Sequence, residues 1–519
     1  MTQIAYRGNL SSAFFPFVSE YHGRTVIVPG PDNNFNRQLQ SSADLDKDIG
    51  IPQLYYCHNV LPNGQGIQSV GYEQRIAPII SPPVLPTQVL TVRDDSLGLK
   101  AYLALGLMTV YPIQNESIGY LPIITTYWNG SATVTLPNGT YTTAHVNGIT
   151  YIYIANSVCL KYNFTQNRLD QVTLAGLSLS AIIGLTESNG YLLAYSTSAI
   201  AWSSTIDPTD FVPSLQTGAG GGTIEGVKGP VTCASPTSNG FTVFTQTNAI
   251  SVLYTGNSRY PFQFNECTGS GGVASLERVT YEADSGFNYV YSSKGFQIIQ
   301  AKSAQTVFAE LTDFLAGQYF EDFDESAKVF TYQTLSSPMQ KKMVLIAARY
   351  LVISYGVTSL THAIVYDVVQ KRFGKLKIPH VDCFEYELLT ENVSDIPKKS
   401  IAFLQSDGTV QVVNFAIPFV NRSGVAVLGK YQYVRSRKLQ LQTFELENIT
   451  PGGTVSVYDL VSWSGKGYDV TVPGILLFSN KNLATYGFGS PVGTNHSLLL
   501  LGCFDVVSLN LTFNSTGRM

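Results

Sequence analysis

A hairpin that returns every 40–50 residues is the feature that most restricts what this chain can fold into. Tyr151-Ile152-Tyr153-Ile154 turns through Asn156-Ser157 into Val158-Cys159-Leu160. Tyr191–Tyr195 turns through Thr197-Ser198 into Ala199–Trp202, and Phe241–Phe244 through Thr247-Asn248 into Ala249–Leu253. Tyr289-Val290-Tyr291 and Ile401–Leu404 begin two more, with turns at Lys294-Gly295 and Asp407-Gly408, and another pair fits between Met343 and Val368. Turn residues 157, 198, 248 and 295 are 41, 50 and 47 residues apart, and the 113 residues from 295 to 408 hold two further units. Strands that are apolar on both faces need cover on both faces. One four-stranded sheet cannot supply that cover for itself, but sheets packed radially cover one another and leave only short edges.

The expected fold is therefore all-β, a β-propeller of six to eight blades. Six units are legible between about 140 and 415, and a seventh lies near Leu103–Val110. Ring closure calls for a strand from the N-terminal region. The expected division is an N-terminal arm with leading platform strands at 1–100, the propeller at 101–420, and a C-terminal β-sandwich or platform at 421–519. Pro-rich Ser81–Pro86 reads as an extended linker, and Asp32–Asp48 as an arm or loop. Beyond Asn421-Arg422-Ser423-Gly424 the period stops, but Val507, Leu509, Leu511 and Phe513 still alternate with polar residues as in a half-buried strand. Leu439 and Leu441 alternate too, then slip phase to Phe444 and Leu446, which predicts a bulge near Thr443. Val307, Phe308, Leu311, Phe314 and Leu315 give the one clear helical spacing.

Composition narrows the function. Charged residues make up 13 % of the chain, about half the share usual in globular domains. With 31 Tyr, 27 Phe and a net charge of −4, the chain lacks the basic footprint of a nucleic-acid binder. A polar, tyrosine-rich surface suits contact with other protein copies. Cys57, Cys159, Cys233, Cys267, Cys383 and Cys503 stand singly, which fits free buried thiols in a reducing compartment. Met1–Leu10 has no apolar run of signal-peptide length, so the eleven N-x-S/T sequons read as a consequence of abundant Asn, Ser and Thr. No apolar window reaches the 18 or so residues of a spanning helix.

Candidate chemistry is thin. Gly218-Ala219-Gly220-Gly221-Gly222 lacks the Lys and Ser/Thr of a phosphate loop and reads as an inter-blade loop. The six histidines never pair at metal-ligand spacing, so no metal or cofactor is expected. Glu321-Asp322-Phe323-Asp324-Glu325 could serve paired-carboxylate or calcium chemistry, but Ala327 stands where a calcium loop needs Gly, so a solvated acidic face is expected. Lys341-Lys342, Lys371-Arg372 and Arg435/Arg437/Lys438 read as surface charge. The chain has no G-x-S-x-G elbow, no repeated sialidase box and no Gly-His…Trp-Asp pairing, and it is not expected to be an enzyme.

One stretch carries a resemblance. Trp202-Ser203, then Asp207-Pro208-Thr209-Asp210-Phe211 and the glycine run, resembles the W-S…D-P-x-x-F segment of propeller proteins from short-tailed bacteriophages, the tail nozzle and packaged-DNA-stabilisation proteins. Cys57-His58-Asn59, Gly64–Gly66 and Gly71-Tyr72 are similar to that family's leading segment, although Ser69-Val70-Gly71 stands in place of its R-x-G. Terminal Thr516-Gly517-Arg518 is similar too. The resemblance, in order of elements over about 55–415, implies a structural role: a homohexameric nozzle ring in the virion tail, below the portal-adaptor ring. It would be assembled in the host cytoplasm and let double-stranded DNA pass. The other reading is a receptor- or carbohydrate-binding tail propeller. Within the motif, which also includes Asp210, Asp207 is expected to cap the turn set by Pro208, and Trp202 and Phe211 to pack between blades. Exposed carboxylates contribute within about 0.5 kcal/mol, so alanine at Glu321, Asp322 or Asp324 should leave folding and assembly intact.

Overall fold

A computed structural model of the chain describes residues 2–9, 26–28, 54–63, 66–79, 84–114, 119–257, 260–283, 285–316, 319–326, 329–334, 340–388, 398–414, 423–433, 439–448, 455–462, 475–481, 485–487, 492–493 and 495–515. The arm at 32–48, the basic residues 435–438 and the terminal 516–518 lie outside the described residues.

Seven antiparallel blades follow one another. Blade one comprises Gln88–Asp94, Leu99–Gly106 and Thr109–Gln114, and blade two runs from Tyr141–Val146 to Arg168–Val172. Blades three (Gly184–Ser188 to Gly220–Thr223), four (Val231–Thr237 to Phe262–Glu266) and five (Val279–Glu282 to Ser303–Thr306) are each four-stranded sheets. Blade six runs from Gln340–Ile346 to Arg372–His380. Blade seven has Asp382–Leu388, Lys398–Leu404 and Val410–Asn414, completed by Gly71–Ile76 from far upstream. The chain turns between strands at 155–157, 196–198, 246–248 and 293–294, where the hairpin pattern puts the turns. Asn156 turns with φ +57° and Gly295 with φ +91°, left-handed conformations that Asn and Gly tolerate.

The first strand of each blade from two to seven lies beside that of the next, and that of blade seven lies beside that of blade one. Blade one meets blade two through Asp94 paired with Ile149. An apolar cluster fills each gap. Leu90 and Leu103 of blade one meet Ile152 and Leu160 of blade two. Tyr153 and Cys159 meet Leu185 and Leu192, Tyr195 and Ile200 meet Phe241 and Val243, and Phe244 and Ala249 meet Val279 and Val290. Tyr291 and Phe296 meet Met343 and Ile353, Val352 and Val365 meet Ile401 and Phe403, and Tyr102 and Tyr111 of blade one close against Phe384 and Val412 of blade seven. At about 1.5–3 kcal/mol for each large side chain buried, the ring is held mainly by these seven cores. The one described α-helix, Ala309–Ala316, adds Leu311 and Leu315 to the gap between blades five and six.

The C-terminal strands form a platform. Gly424–Tyr433, Asn495–Gly502, Val455–Ser462 and Ile475–Lys481 make one sheet, and Leu439–Asn448 and Asp505–Ser515 belong to another. The register of Leu439–Asn448 shifts between Leu441 and Thr443, the bulge that the phase slip predicts. Thr2–Asn9 pairs along Ser508–Ser515. One short segment binds platform to propeller: Leu54–His58 pairs with the first platform sheet, Val60 with Lys375 of blade six, Ile67 with Val506 of the second, and Gly71–Ile76 closes blade seven. Propeller strands thus begin at Gly71 and Gln88, ahead of the boundary expected at residue 101, because closure draws on residues that the hairpin period does not mark. Ile76 is fully buried in the seam between blades seven and one. Ile76→Ala should cost about 2–5 kcal/mol in urea unfolding, whereas Val369→Ala, at an exposed side chain, should stay within about 0.5 kcal/mol.

Candidate functional site

The first strands surround a cavity of about 670 Å³ on the propeller axis. Gln88 of blade one, Thr142 of two, Thr232 of four, Lys342 of six and Asp382 of seven line it. A neighbouring cavity of about 420 Å³ shares Ser275, Glu277 and Lys342 with it.

Inner strands have one edge without a strand partner, and their N–H groups need acceptors. Side chains of a neighbouring blade provide them. Thr142 Oγ1 accepts from Leu185 N–H at 3.0 Å, Glu187 Oε2 from His145 N–H at 2.6 Å, and Thr280 Oγ1 from Leu345 N–H at 2.9 Å. Glu385 Oε2 accepts from Ala347 N–H at 2.9 Å, and Thr150 Oγ1 from Arg93 N–H at 2.9 Å. Asp382 accepts from Val89 N–H at 2.6 Å and Cys383 N–H at 2.7 Å and pairs with Lys342 Nζ at 2.6 Å. Burial opposes the charge on Lys342, but Asp382 and Glu277 outweigh it and hold the ammonium above its usual range. Lys342 is therefore not the surface charge expected from its sequence neighbourhood. Burial pushes Glu187 up, partly offset by His145. Burial also works against Glu385, yet Ala347 N–H and Lys399 leave it below the usual carboxylate range. Blades seven and one are further joined by Lys100, 2.7 Å from Glu387, and by Tyr102 stacked on Tyr386 at 5.0 Å.

Thr150, His145 and Asp95 align as hydroxyl, imidazole and carboxylate at 3.0 and 3.1 Å. The Thr150 oxygen is nearly buried and already accepts from Arg93 N–H, so the alignment acts as another inter-blade stitch. Carboxylates and hydroxyls along the axis are occupied as backbone acceptors, which makes a polar, acid-rich wall. Among the described residues no three His, Cys, Asp or Glu side chains converge as metal ligands.

The five motif residues lie in or at the base of one long loop of blade three. Ser203 Oγ accepts from Leu192 N–H, and Ser204 Oγ from Ile206 and Asp207 N–H. Asp207 Oδ1 accepts from Thr209 N–H at 2.9 Å and Thr209 O–H at 2.7 Å, and Asp210 N–H closes the turn over Pro208 onto Asp207 O at 3.1 Å. Asp210 Oδ1 accepts from Val212 N–H. Phe211 is buried among Tyr153, Leu174 and Leu192, between blades two and three. Trp202 donates from Nε1 to Gly218 O at 2.9 Å and sets its ring edge-on to Phe262 of blade four at 5.5 Å. The glycine run is not an inter-blade loop: Gly220–Thr223 is the outer strand of blade three. A Cβ on Gly220 would lie 3.0 Å from the Trp202 ring, so the indole covers a strand that has no side chain there.

The acidic run is a solvated face only in part: Asp324 is exposed, but Asp322 and Glu325 are paired. Tyr319–Asp324 is a strand paired with Val329–Thr334. Asp322 lies 2.8 Å from Lys377 Nζ and 3.4 Å from His362 Nε2, and Glu325 meets buried His58 at 2.8 Å. Burial raises Asp322, but His362 and Lys377 prevail and hold it well below the usual carboxylate range. His362 and Lys377, side by side on blade six, and His58 of the leading segment therefore fix this hairpin, and Asp322→Ala should lower stability rather than leave it unchanged. Asn59 of the leading segment turns the chain with φ +53°, and its Oδ1 accepts from Tyr72 O–H at 2.7 Å and Lys377 N–H at 2.9 Å. All six cysteines are buried and free. Sequence reasoning missed Thr142, Glu187, Lys342 and Asp382. Each stands among other polar residues on its first strand, as Asp382 does in Asp382–Leu388, so nothing local marks its role.

No family model matches the chain, and no curated protein matches it. Among solved structures it is similar to the extracellular domain of a hybrid two-component system from B. thetaiotaomicron, with 11 % identity over 93 % of this chain and a TM-score of 0.41. The chain spans 62 % of the length of that structure. It is also similar to the dihydro-heme d1 dehydrogenase NirN in complex with DHE, at 9 % identity, over 69 % of this chain and 75 % of that one, with a TM-score of 0.30. Neither value bears on what the chain does, and the propeller assignment rests on the order of strands. Among the described residues no helix is long and apolar enough to cross a membrane.

Two outcomes follow from the axial chemistry. Asp382→Ala strands a mostly buried ammonium and should cost about 3–5 kcal/mol in urea unfolding, and the double change Lys342→Met/Asp382→Leu should recover most of that loss. Buried His380, held between Ile378 O at 2.7 Å and Ser354 Oγ at 2.8 Å, is pushed down by burial to about 4. The unfolded chain therefore binds this proton first, and its contribution is intact above pH 6.5 and is lost as pH falls toward 4. Stability measured across that window should fall less steeply in His380→Gln than in the wild type.

Proposed function

We propose that this chain is a structural subunit of a bacteriophage tail nozzle, six copies of which ring the DNA ejection channel below the portal-adaptor ring. The observation that carries this reading is the blade-three loop. Its motif residues all serve to hold its shape, while Ile206, Val212 and Leu215 in the same loop stand exposed at 80, 50 and 74 %. A rigid loop that presents apolar side chains suits contact between subunits. The clasp at 54–76, which ties platform to propeller, supports it too, because a subunit of a pressure-bearing conduit has to transmit load as one body. The ring retains the genome and then releases it. Its inner wall is polar or acidic, since each phosphate neutralised by Lys or Arg would add salt-sensitive grip.

Negative-stain imaging of the purified chain or of virions tests the ring: sixfold particles are expected, and monomers in assembled virions would overturn the reading. In a salt series the free protein should bind duplex DNA weakly at physiological ionic strength, and tight, steeply salt-dependent binding would argue for a DNA clamp. A second reading, a receptor- or carbohydrate-binding tail propeller, is favoured by the polar axial cavity of about 670 Å³. Saturable glycan binding abolished by Thr142→Trp would support it.

A further inference from the structure

The outer edge of each blade is where a sheet can recruit another chain, and six of the seven are answered. The edge of blade one is taken by Ile124, which exchanges hydrogen bonds with Val110 at 2.8 Å. Thr126–Trp128 runs along the last strand of blade two, and Thr268 bonds to Ala304 N–H in the last strand of blade five. Val60 covers blade six, and the edge strand of blade seven, Gly71–Ile76, carries the Glu73–Arg75 pair. Among the described residues blade four has no covering strand, but its edge strand carries Gln263, Asn265 and Glu266, the last paired with Lys228. Charge on an edge is an ordinary protection against unwanted pairing.

Among the described residues blade three has neither. Its edge is Gly220-Gly221-Gly222-Thr223, uncharged and largely exposed. Ile224 N–H bonds to Ser198 O at 3.0 Å, which makes this a hydrogen-bonded pair of the antiparallel ladder. By alternation Gly222–Ile200 and Gly220–Trp202 are the next such pairs, so the N–H and C=O groups of Gly221 and Thr223 point away from the blade. The loop leading into this edge carries exposed Val212 and Leu215, and Trp202 backs it on one face at Gly220. The groups on offer dictate an extended partner, and the absence of charge dictates a neutral one.

We propose that the outer edge of blade three is a strand-addition site that takes an extended segment from a second copy of this chain. This rests on the ring reading above and names its contact. A copy of the same chain is the occupant because this chain already covers edges with its own strands, at blades two and six, and because a chain with only 13 % charged residues offers neutral segments.

The test uses the full-length chain. Gly222→Lys adds a side chain where a Cβ meets nothing within 4 Å, so the fold is kept while the edge gains a charge. Thr223→Pro removes one outward N–H. Self-association is followed by sedimentation, folding by circular dichroism, and Gly221 and Thr223 amide exchange by mass spectrometry. Expected are wild-type spectra for Gly222→Lys with at least tenfold weaker association, and at least tenfold slower exchange at 221 and 223 in wild-type assemblies. Should Thr223→Pro unfold, the lysine variant and the exchange data decide alone. Rings that form with both amides still exchanging fast would overturn the edge contact and leave the ring reading standing. Failure of the wild type to form any ring would overturn both. Protection that appears only when another tail protein is added would overturn the second copy as occupant.

Discussion

A β-sheet has two edges, and each edge is a row of N–H and C=O groups that must find partners or face water. This protein is built around that requirement. On the axis, where strands converge too closely for another to be inserted, Thr, Asp and Glu side chains of one blade take up N–H groups of its neighbour. At the periphery, segments from elsewhere in the chain lie along the last strands. The apolar gaps supply most of the stabilising energy, but they are non-directional. The edge contacts are directional and join each blade to a particular neighbour.

The same requirement explains why the axial cavity is polar. An acceptor that holds a backbone N–H at 2.6 Å, as Glu187 and Asp382 do, has one oxygen committed to architecture. The acid-rich wall follows from this arrangement, since a carboxylate is a stronger acceptor than a hydroxyl. Lys342 and Lys100 then serve as counter-charges that make the burial of those acids tolerable.

The blades were legible because their contacts are local. Tyr191 to Trp202 is a hairpin whose alternation and turn sit within a dozen residues, and neighbouring blades repeat it. The helix at 309–316 and the bulge at 441–443 were legible for the same reason: the period is broken where the geometry is. The partners of Asp382 were not legible, because Val89 is 293 residues away in sequence and no local pattern links them. Asp322 and Glu325 misled because a run of acids looks solvated until His362, Lys377 and His58 are placed opposite. The glycine run misled for a steric reason. Gly is a poor strand former, and only the Trp202 indole lying over Gly220 makes it the fitting residue.

The long reach of the clasp has a consequence in time. Ile76 pairs with Val410, 334 residues further along, and Thr2 pairs with Ser515. A ribosome adds about 5–20 residues per second, so the closing strand emerges roughly 20–70 s before its partner exists. Blades two to five can fold in order as they appear, each resting on the last, while Gly71–Ile76 waits unpaired. The growing molecule is thus an open arc with an unclosed seam for most of its synthesis, and its last strands convert that arc into a ring and set it on its platform together.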